Sequence, residues 1–193
     1  MFQWQLQNSS NSTTKKSGPL ELGLADYNPT VLQLVTLPNL LLSWAQVTRD
    51  RTWEAEGELE IDSEVLQEFI TSLKSCQTRL SFFSGAWSGK FGDIVLRRMT
   101  EVRSARLTII GAETIYSPAA LKSFAATLMK LLGAMTDDVK TALIAAKKVY
   151  FGVGGSMEDF CNLVRAEQGI VEQIREESDG VRRSVVEVKV SNL

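Results

Sequence analysis

Residues 53–80 read WEAEGELEIDSEVLQEFITSLKSCQTRL and contain both regular patterns found along this chain. Up to Ile61, apolar residues alternate with glutamates, which predicts a half-buried strand with an acidic outer face. From Glu64 to Leu80 the apolar residues recur at helical spacing, directly after an Asp-Ser pair that can cap a helix. The stretch therefore predicts a strand that leads into an amphipathic helix.

The same two patterns continue toward the C-terminus. Alternation predicts strands over 106–116 and 181–190, and helical spacing predicts helices over 118–132, 136–150 and 156–177. Strands and helices do not alternate throughout this order, so an α+β fold is expected rather than a doubly wound one. We expect a single compact domain with a small, mostly antiparallel sheet, several amphipathic helices and an extended N-terminal arm.

The region before this pattern has a different composition. Residues 1–18 include a polar run without periodicity, QNSSNSTTKKSG, which predicts a flexible arm. Residues 19–44 are rich in leucine and interrupted by three prolines, which predicts an extended apolar segment. The α+β core is then expected to occupy 45–193.

Composition excludes several classes of function. The chain has 193 residues, a net charge of −2 and no histidine. Without histidine there can be no Ser-His-Asp triad, Cys-His pair or histidine metal ligand within the chain. A negative charge argues against dedicated sequence-specific nucleic-acid binding. We assign no catalytic, metal or cofactor residues. Because neither a signal peptide nor a membrane-spanning segment is recognised, an intracellular location is expected.

An aromatic, glycine-rich segment, SFFSGAWSGKFG at 81–92, is the first candidate interaction site. Aromatic side chains on a turn are typical of interface anchors, although they can equally form a small core beneath the turn. The candidate residues are Phe82, Phe83, Trp87, Lys90 and Phe91.

The densest positive charge in the chain is a second candidate. It comes from Arg97, Arg98, Arg103 and Arg106. Guanidinium groups could contact phosphates, acidic lipid headgroups or an acidic protein, and a solvated or ion-paired surface is the alternative.

The apolar residues near the N-terminus are a third candidate, for self-association. An apolar segment of this kind must be buried, against its own core or against a neighbouring subunit. The residues concerned are Phe2, Trp4, Val31, Leu32, Leu34, Leu37 and Leu40.

The stretch from Arg51 to Met99 resembles the central part of rhabdovirus matrix proteins. An aromatic-led strand, an amphipathic helix, the turn FFSGAWSGKF and a short apolar helix follow one another there. The resemblance implies a non-enzymatic structural protein of virion assembly, found in the host cytoplasm and the virion interior. It also implies a homo-oligomer that contacts nucleocapsid protein and the acidic inner membrane leaflet.

Two other classes remain open from the residues. One is a cellular adaptor or complex subunit that acts as a protein–protein interaction module. The other is a histidine-free hydrolase or transferase that uses aspartate or glutamate, whose carboxylates suffice for acid–base work.

Overall fold

A computed structural model describes residues 2–9, 18–48, 58–99, 106–134, 139–152 and 154–190. The chain divides into two compact units, Met1–Gly85 and Ala86–Leu193. Each unit combines helices with a sheet, so the α+β class is confirmed.

The first unit is built on a parallel pair of strands. Its elements are α1 (Phe2–Ser9), β1 (Leu20–Asp26), α2 (Pro29–Val31), a π-helical turn (Leu32–Thr36), α3 (Leu37–Thr48), α4 (Ser63–Ser75) and β2 (Thr78–Ser84). Strands β1 and β2 pair in parallel, with Leu20 opposite Thr78 and Asp26 opposite Ser84.

The segment expected to be extended over 19–44 is strand and helix. Asn28 accepts a hydrogen bond from the Thr30 amide at 2.9 Å, and Pro29 stands where a helix needs no amide donor, so the helical stretch starts there. The π-helical turn precedes Pro38, whose ring and missing amide hydrogen disturb regular α-helical bonding. Pro29 and Pro38 are thus accommodated within a continuous helical path to Thr48.

Helix α3 packs its apolar face into the core of the first unit. Trp44 is 2% exposed and meets Phe69 of α4 edge-on, with ring centroids 5.6 Å apart. Leu41, Ala45 and Val65 are buried in the same cluster. Burying such side chains contributes roughly 1.5–3 kcal/mol each.

One helical stretch in the described part of the chain, Pro29–Thr48, is long and apolar enough to cross a membrane, with a mean hydropathy of 1.2. Length and composition alone support this, and core helices share both properties. Trp44 of this stretch packs against Phe69 of α4, and 22% of the apolar 18-residue window is buried.

The second unit carries a four-stranded mixed sheet. Its elements are α5 (Gly89–Met99), β3 (Arg106–Ala112), α6 (Pro118–Ala134), β4 (Val139–Lys147), α7 (Met157–Ala166), β5 (Gly169–Glu177) and β6 (Arg183–Val190). The strand order is β3-β4-β6-β5, in which β3 and β4 are parallel and the other two pairs are antiparallel. This sheet matches the small, mostly antiparallel one that was expected, whereas the separate parallel pair β1–β2 was not expected.

Helices α6 and α7 cover one face of this sheet. Leu128 and Leu132 of α6 and Phe160 of α7 are almost fully buried, together with Ile144 of β4 and Val186 of β6. The predicted helix starts at Pro118 and at Ser156 are correct, and so is the final strand. The Ser156 hydroxyl caps α7 by accepting from the Asp159 amide at 3.0 Å.

Of the predicted helices, one is a strand and two end too late. Residues 136–150 contain strand β4, because Ala142, Ile144 and Ala146 alternate in burial, although alanine favours helix locally. The helix predicted over 156–177 ends at Ala166, and Gly169 starts strand β5.

The helix predicted from Glu64 ends at Ser75 rather than at Leu80. It begins as expected, because Asp62 accepts a hydrogen bond from the Val65 amide at 2.8 Å. Most of the strand predicted over 53–61 lies outside the described residues, and 58–61 belong to no strand.

Candidate functional site

The carboxyl ends of β3 and β4 lie at one edge of the sheet in the second unit. Parallel strands present their following connections on the same side, which is where α/β sheets bind ligands. Glu113 and Thr114 follow β3, and the connection that runs from Lys148 to Ser156 follows β4. We call this place the β3–β4 edge.

Glu113 has an unusual backbone conformation. Its φ is +54°, in the left-handed region that bulky residues rarely adopt. The two other described non-glycine residues of this kind, Gln77 and Gln168, directly follow helix caps, where the conformation is common. Glu113 instead follows a strand, so its strain indicates a functional constraint.

Two side chains that are distant in sequence hold the Glu113 carboxylate. The Tyr150 hydroxyl donates a hydrogen bond to Oε2 at 2.6 Å, and Arg183 Nε lies 3.7 Å from Oε1. The Glu113 side chain is 46% exposed, so its carboxylate is fixed in place but open to a ligand.

Tyr150 is the buried member of this group. It is 7% exposed, and burial together with the hydrogen bond to Glu113 raises its pKa to about 12. It therefore remains a neutral donor at all physiological pH values. The Lys147 amide donates to its hydroxyl oxygen at 3.3 Å, which fixes the phenol from the other side.

A glycine allows the two connections of the edge to touch. A Cβ on Gly155 would lie 2.4 Å from the Ile115 carbonyl oxygen, closer than any side chain permits. The same loop is closed by hydrogen bonds from the Tyr150 amide to Gly155 O (2.9 Å) and from the Gly154 amide to Tyr150 O (3.1 Å). The close approach of Gly155 to Ile115 places Tyr150 where it can reach Glu113.

A shallow cleft of about 410 Å³ adjoins this loop. Pro118, Leu121 and Leu163 supply apolar walls, and Lys122 and Asp159 supply polar ones. Thr114, next to Glu113, has a buried hydroxyl without a hydrogen-bond partner among the described residues. Within the same described ranges, no group of three or more His, Cys, Asp or Glu could hold a metal ion.

The parallel pair of the first unit also ends in a carboxylate. Asp26 closes β1, and its Oδ1 accepts a hydrogen bond from the Asn28 amide at 2.8 Å. Tyr27 between them is 71% exposed. A carboxylate at such a strand end can accept hydrogen bonds from the hydroxyl groups of a nucleoside.

The aromatic segment at 81–92 is not a turn. It contains the end of β2 and the start of α5. Phe83 and Phe91 are buried, and Trp87 is partly buried, edge-on to Phe91 with a centroid distance of 5.0 Å. These three therefore follow the core alternative, whereas Phe82 and Lys90 are exposed and their binding role stays a prediction.

The structure does not gather the four predicted arginines into a described cluster. Arg97 and Arg98 occupy the last turn of α5, where cations interact favourably with the helix dipole. Arg106 begins β3, and Arg103 lies outside the described residues. Their anion contact also stays a prediction.

Most residues predicted for self-association pack within the first unit. Phe2 meets Phe69 edge-on at 6.5 Å, and Leu32 is 6% exposed. Val31, Leu37 and Leu40 are partly buried, Leu34 is 64% exposed, and the Trp4 side chain is not among the described ones. Packing within the unit explains Leu32, Leu37 and Leu40 without a second subunit, whereas Leu34 is not packed in this way.

The sequence interpretation missed Glu113, Tyr150 and Arg183. A signal was available, because Glu113 interrupts the apolar run TIIGAETIY that was predicted as one strand. A charged residue in such a run marks either the strand end or a site. Its partners could not be named, because they come from segments far along the chain.

Three curated relatives share about a third of the aligned residues. Histidine protein methyltransferase 1 of Saccharomyces cerevisiae is 34% identical over 75% of this chain, which covers 41% of that relative. The Schizosaccharomyces pombe protein of the same name is 31% identical over 87% of this chain and 48% of its own length. The histidine protein methyltransferase 1 homologue of Rattus norvegicus is 34% identical over 91% of this chain and 45% of its own length.

This chain therefore spans somewhat less than half the length of the relatives it matches. No family model matches the sequence. A solved structure from Pyrococcus horikoshii aligns with 90% of this chain and 83% of its own, with a TM-score of 0.39 and 9% identity, a likeness too low to support an inference.

These relatives overturn the viral interpretation. The resemblance to rhabdovirus matrix proteins was wrong, since proteins 31–34% identical over most of the chain carry the methyltransferase name. The predictions of a non-enzymatic structural protein of virion assembly and of an adaptor are contradicted for the same reason. So are the predicted homo-oligomer and its nucleocapsid and membrane partners. The intracellular location stays a prediction.

Proposed function

We propose that this chain acts in methyl transfer to a histidine of a protein, with Glu113 as the residue that binds the acceptor imidazole. The observation that supports this most is the 31–34% identity to histidine protein methyltransferases over most of the chain. Glu113 is the candidate acceptor-binding residue, because its backbone φ is positive and its half-exposed carboxylate is held by Tyr150 and Arg183.

Glu113 suits an imidazole because neutral histidine has one N–H and one nitrogen lone pair. An N–H that donates to the Glu113 carboxylate fixes the tautomer and leaves the other nitrogen free to attack. That lone pair forms the new N–C bond, while the bond between the methyl carbon and the donor's leaving atom breaks and its electron pair stays with that atom. The N–H proton of the resulting imidazolium is then released to Glu113 or to water.

Tyr150 and Arg183 are positioning residues for this carboxylate. The Tyr150 hydroxyl holds Oε2 at 2.6 Å, so the carboxylate cannot swing away from its site. Arg183 Nε lies 3.7 Å from Oε1, so a positive charge stands beside the carboxylate on its other side.

The methyl donor is expected to be a sulfonium nucleoside of the S-adenosylmethionine type, which supplies an electrophilic methyl group when bound.

The absence of histidine in this chain makes a sharp test possible. The 193-residue chain, purified without a polyhistidine tag, is incubated with S-adenosylmethionine and heat-treated yeast protein. After acid hydrolysis, methylhistidine is quantified, and any that forms must come from the acceptor proteins. We expect methylhistidine with the wild type and about 100-fold less with Glu113→Gln, since such groups typically contribute 10²–10⁴-fold.

Glu172→Gln is the matched control, because Glu172 is also an exposed glutamate but lies on β5. It should retain wild-type yield. A folded wild type that forms no methylhistidine, or a Glu113→Gln variant as active as the wild type, would overturn the proposal.

A further inference from the structure

We propose that Tyr116, Val149 and Phe151 form a docking surface that binds an apolar side chain next to the target histidine in the acceptor protein. This inference rests on the proposed function and names the kind of partner that the site takes. We refer to the three residues as the Phe151 surface.

The exposure of these side chains is the first observation. Phe151 is 93% exposed, more than any other large hydrophobic residue in the described part of the chain. Tyr116 is 54% exposed and Val149 is 50% exposed. A single exposed apolar residue is ordinary, but three around one carboxylate site are typical of an interaction surface.

Backbone hydrogen bonds close the loop that carries Val149 and Phe151. The amides of Tyr150 and Gly154 both donate within the loop, at 2.9 and 3.1 Å, and Val149 forms an isolated bridge with Ser156. A Cβ on Gly155 would also lie 2.8 Å from the Tyr116 carbonyl carbon, so Tyr116 stands against the same loop. Rigid aromatic side chains lose little entropy on binding, which suits them as anchors.

Continuity with Glu113 identifies the occupant. Tyr150 points inward and bonds Glu113, whereas its neighbour Phe151 points to solvent. We expect a polypeptide whose imidazole reaches Glu113 to lay its adjacent residues along this loop, because Val149 and Phe151 flank Tyr150. The cleft lined by Pro118, Leu121 and Leu163 continues from Gly154 of that loop.

Charge does not select the partner at this place. Lys122 and Asp159 both line the cleft, so the charges there are mixed in sign. Recognition of an acidic or a basic segment is therefore not favoured. An apolar neighbour of the histidine is the chemistry that an exposed phenylalanine, tyrosine and valine complement.

The test compares the dissociation constants of two fluorescein-labelled peptides of about 13 residues, measured by titration with the full chain and fluorescence polarisation. Both contain one central histidine, flanked on each side by leucine in one peptide and by serine in the other. We expect the leucine peptide to bind the wild type about tenfold more tightly, the usual scale for an aromatic anchor. Phe151→Ser should abolish this preference, and Phe151→Trp should retain it.

Ile174→Ser is the matched control, because Ile174 is 50% exposed but lies on strand β5. It should keep the tenfold preference, and circular dichroism should show both serine variants folded. Equal affinity of the wild type for both peptides would overturn the docking surface. So would an undiminished preference in Phe151→Ser, or an equal loss in Ile174→Ser.

The methylhistidine assay separates failure of this inference from failure of the proposed function. Methylhistidine that forms without any peptide preference would overturn the docking surface alone. A peptide preference in a folded chain that forms no methylhistidine would overturn the proposed function, and with it the assignment of this surface to a methyl acceptor.

Discussion

The two parallel strand pairs of this protein end in carboxylates that are held in different ways. Asp26 closes β1 and is bound by the amide of Asn28, two residues further on. Glu113 follows β3 and is bound by Tyr150, which is 37 positions away, and by Arg183 beyond it. The first arrangement is local turn chemistry, whereas the second exists only after the sheet has formed.

The largest effect should come from breaking the close approach that supports the Glu113 arrangement. Gly155→Ala would place a Cβ 2.4 Å from the Ile115 carbonyl oxygen, so the backbone must shift. We expect a loss of about 3 kcal/mol in the free energy of unfolding, measured by urea denaturation. Gly133→Ala is the control, since nothing lies within 4 Å of its Cβ and alanine favours helix α6. Equal stability of the two variants would contradict this explanation of Gly155.

Tyr150→Phe removes the long-range hydrogen bond and little volume. Because the folded-state pKa of Tyr150 is raised to about 12 from 10, its contribution to stability is complete below pH 10 and is lost as the pH rises through 12. A shift of about 2 pH units corresponds to roughly 2.7 kcal/mol. We expect the variant to lose less stability than the wild type between pH 9 and pH 12 in urea titrations. Parallel pH profiles would show that Tyr150 titrates as it does in the unfolded chain.

Asp26→Asn tests the local hydrogen bond between the Asn28 amide and the side chain of residue 26. The amide oxygen of asparagine can still accept from the Asn28 amide, so folding should be unchanged. The free energy of unfolding, measured in urea, should therefore stay within about 0.5 kcal/mol of the wild-type value. A clearly larger loss would show that the charge of Asp26, and not only its acceptor oxygen, stabilises this turn.

The smallest change in stability is expected from Glu176→Gln, because Glu176 lies on β5 and contacts neither Asp26 nor Glu113 in any described hydrogen bond or ion pair. Hydrogen bonds from Lys148 and then Arg182 lower the pKa of Glu176 to about 2, so its contribution persists until the pH falls toward 2. The group is exposed to solvent, which screens its ion pairs. The thermal midpoint should therefore be almost unchanged at pH 7. A large decrease at that pH would show that the cluster stabilises the β5–β6 hairpin more than an exposed ion pair can.

The same contrast explains how much of the fold could be predicted from the sequence. Local signals were sufficient where one segment carries its own explanation, as with the Asp62 cap of α4, the Ser156 cap of α7 and the alternation in β6. Strand β4 was predicted as a helix because Val139, Leu143 and Ala146 recur at helical spacing, and only its central place in the sheet makes it a strand.

The candidate site was less predictable than the fold. Glu113 lay inside an apolar run, and nothing in the sequence pairs it with Tyr150 or Arg183. The aromatic segment drew attention instead, because Phe83 and Phe91 look like anchors until the structure buries them. Long-range contacts decide both outcomes, and a single sequence does not display them.

The most direct test of the role of Glu113 is the kcat of methylhistidine formation by Glu113→Gln at saturating S-adenosylmethionine. If Glu113 binds the acceptor imidazole, kcat should fall about 100-fold while the affinity for S-adenosylhomocysteine stays at the wild-type value. A wild-type kcat in the folded variant, or a loss of donor affinity that accounts for the whole effect, would contradict the assignment of Glu113 to the acceptor.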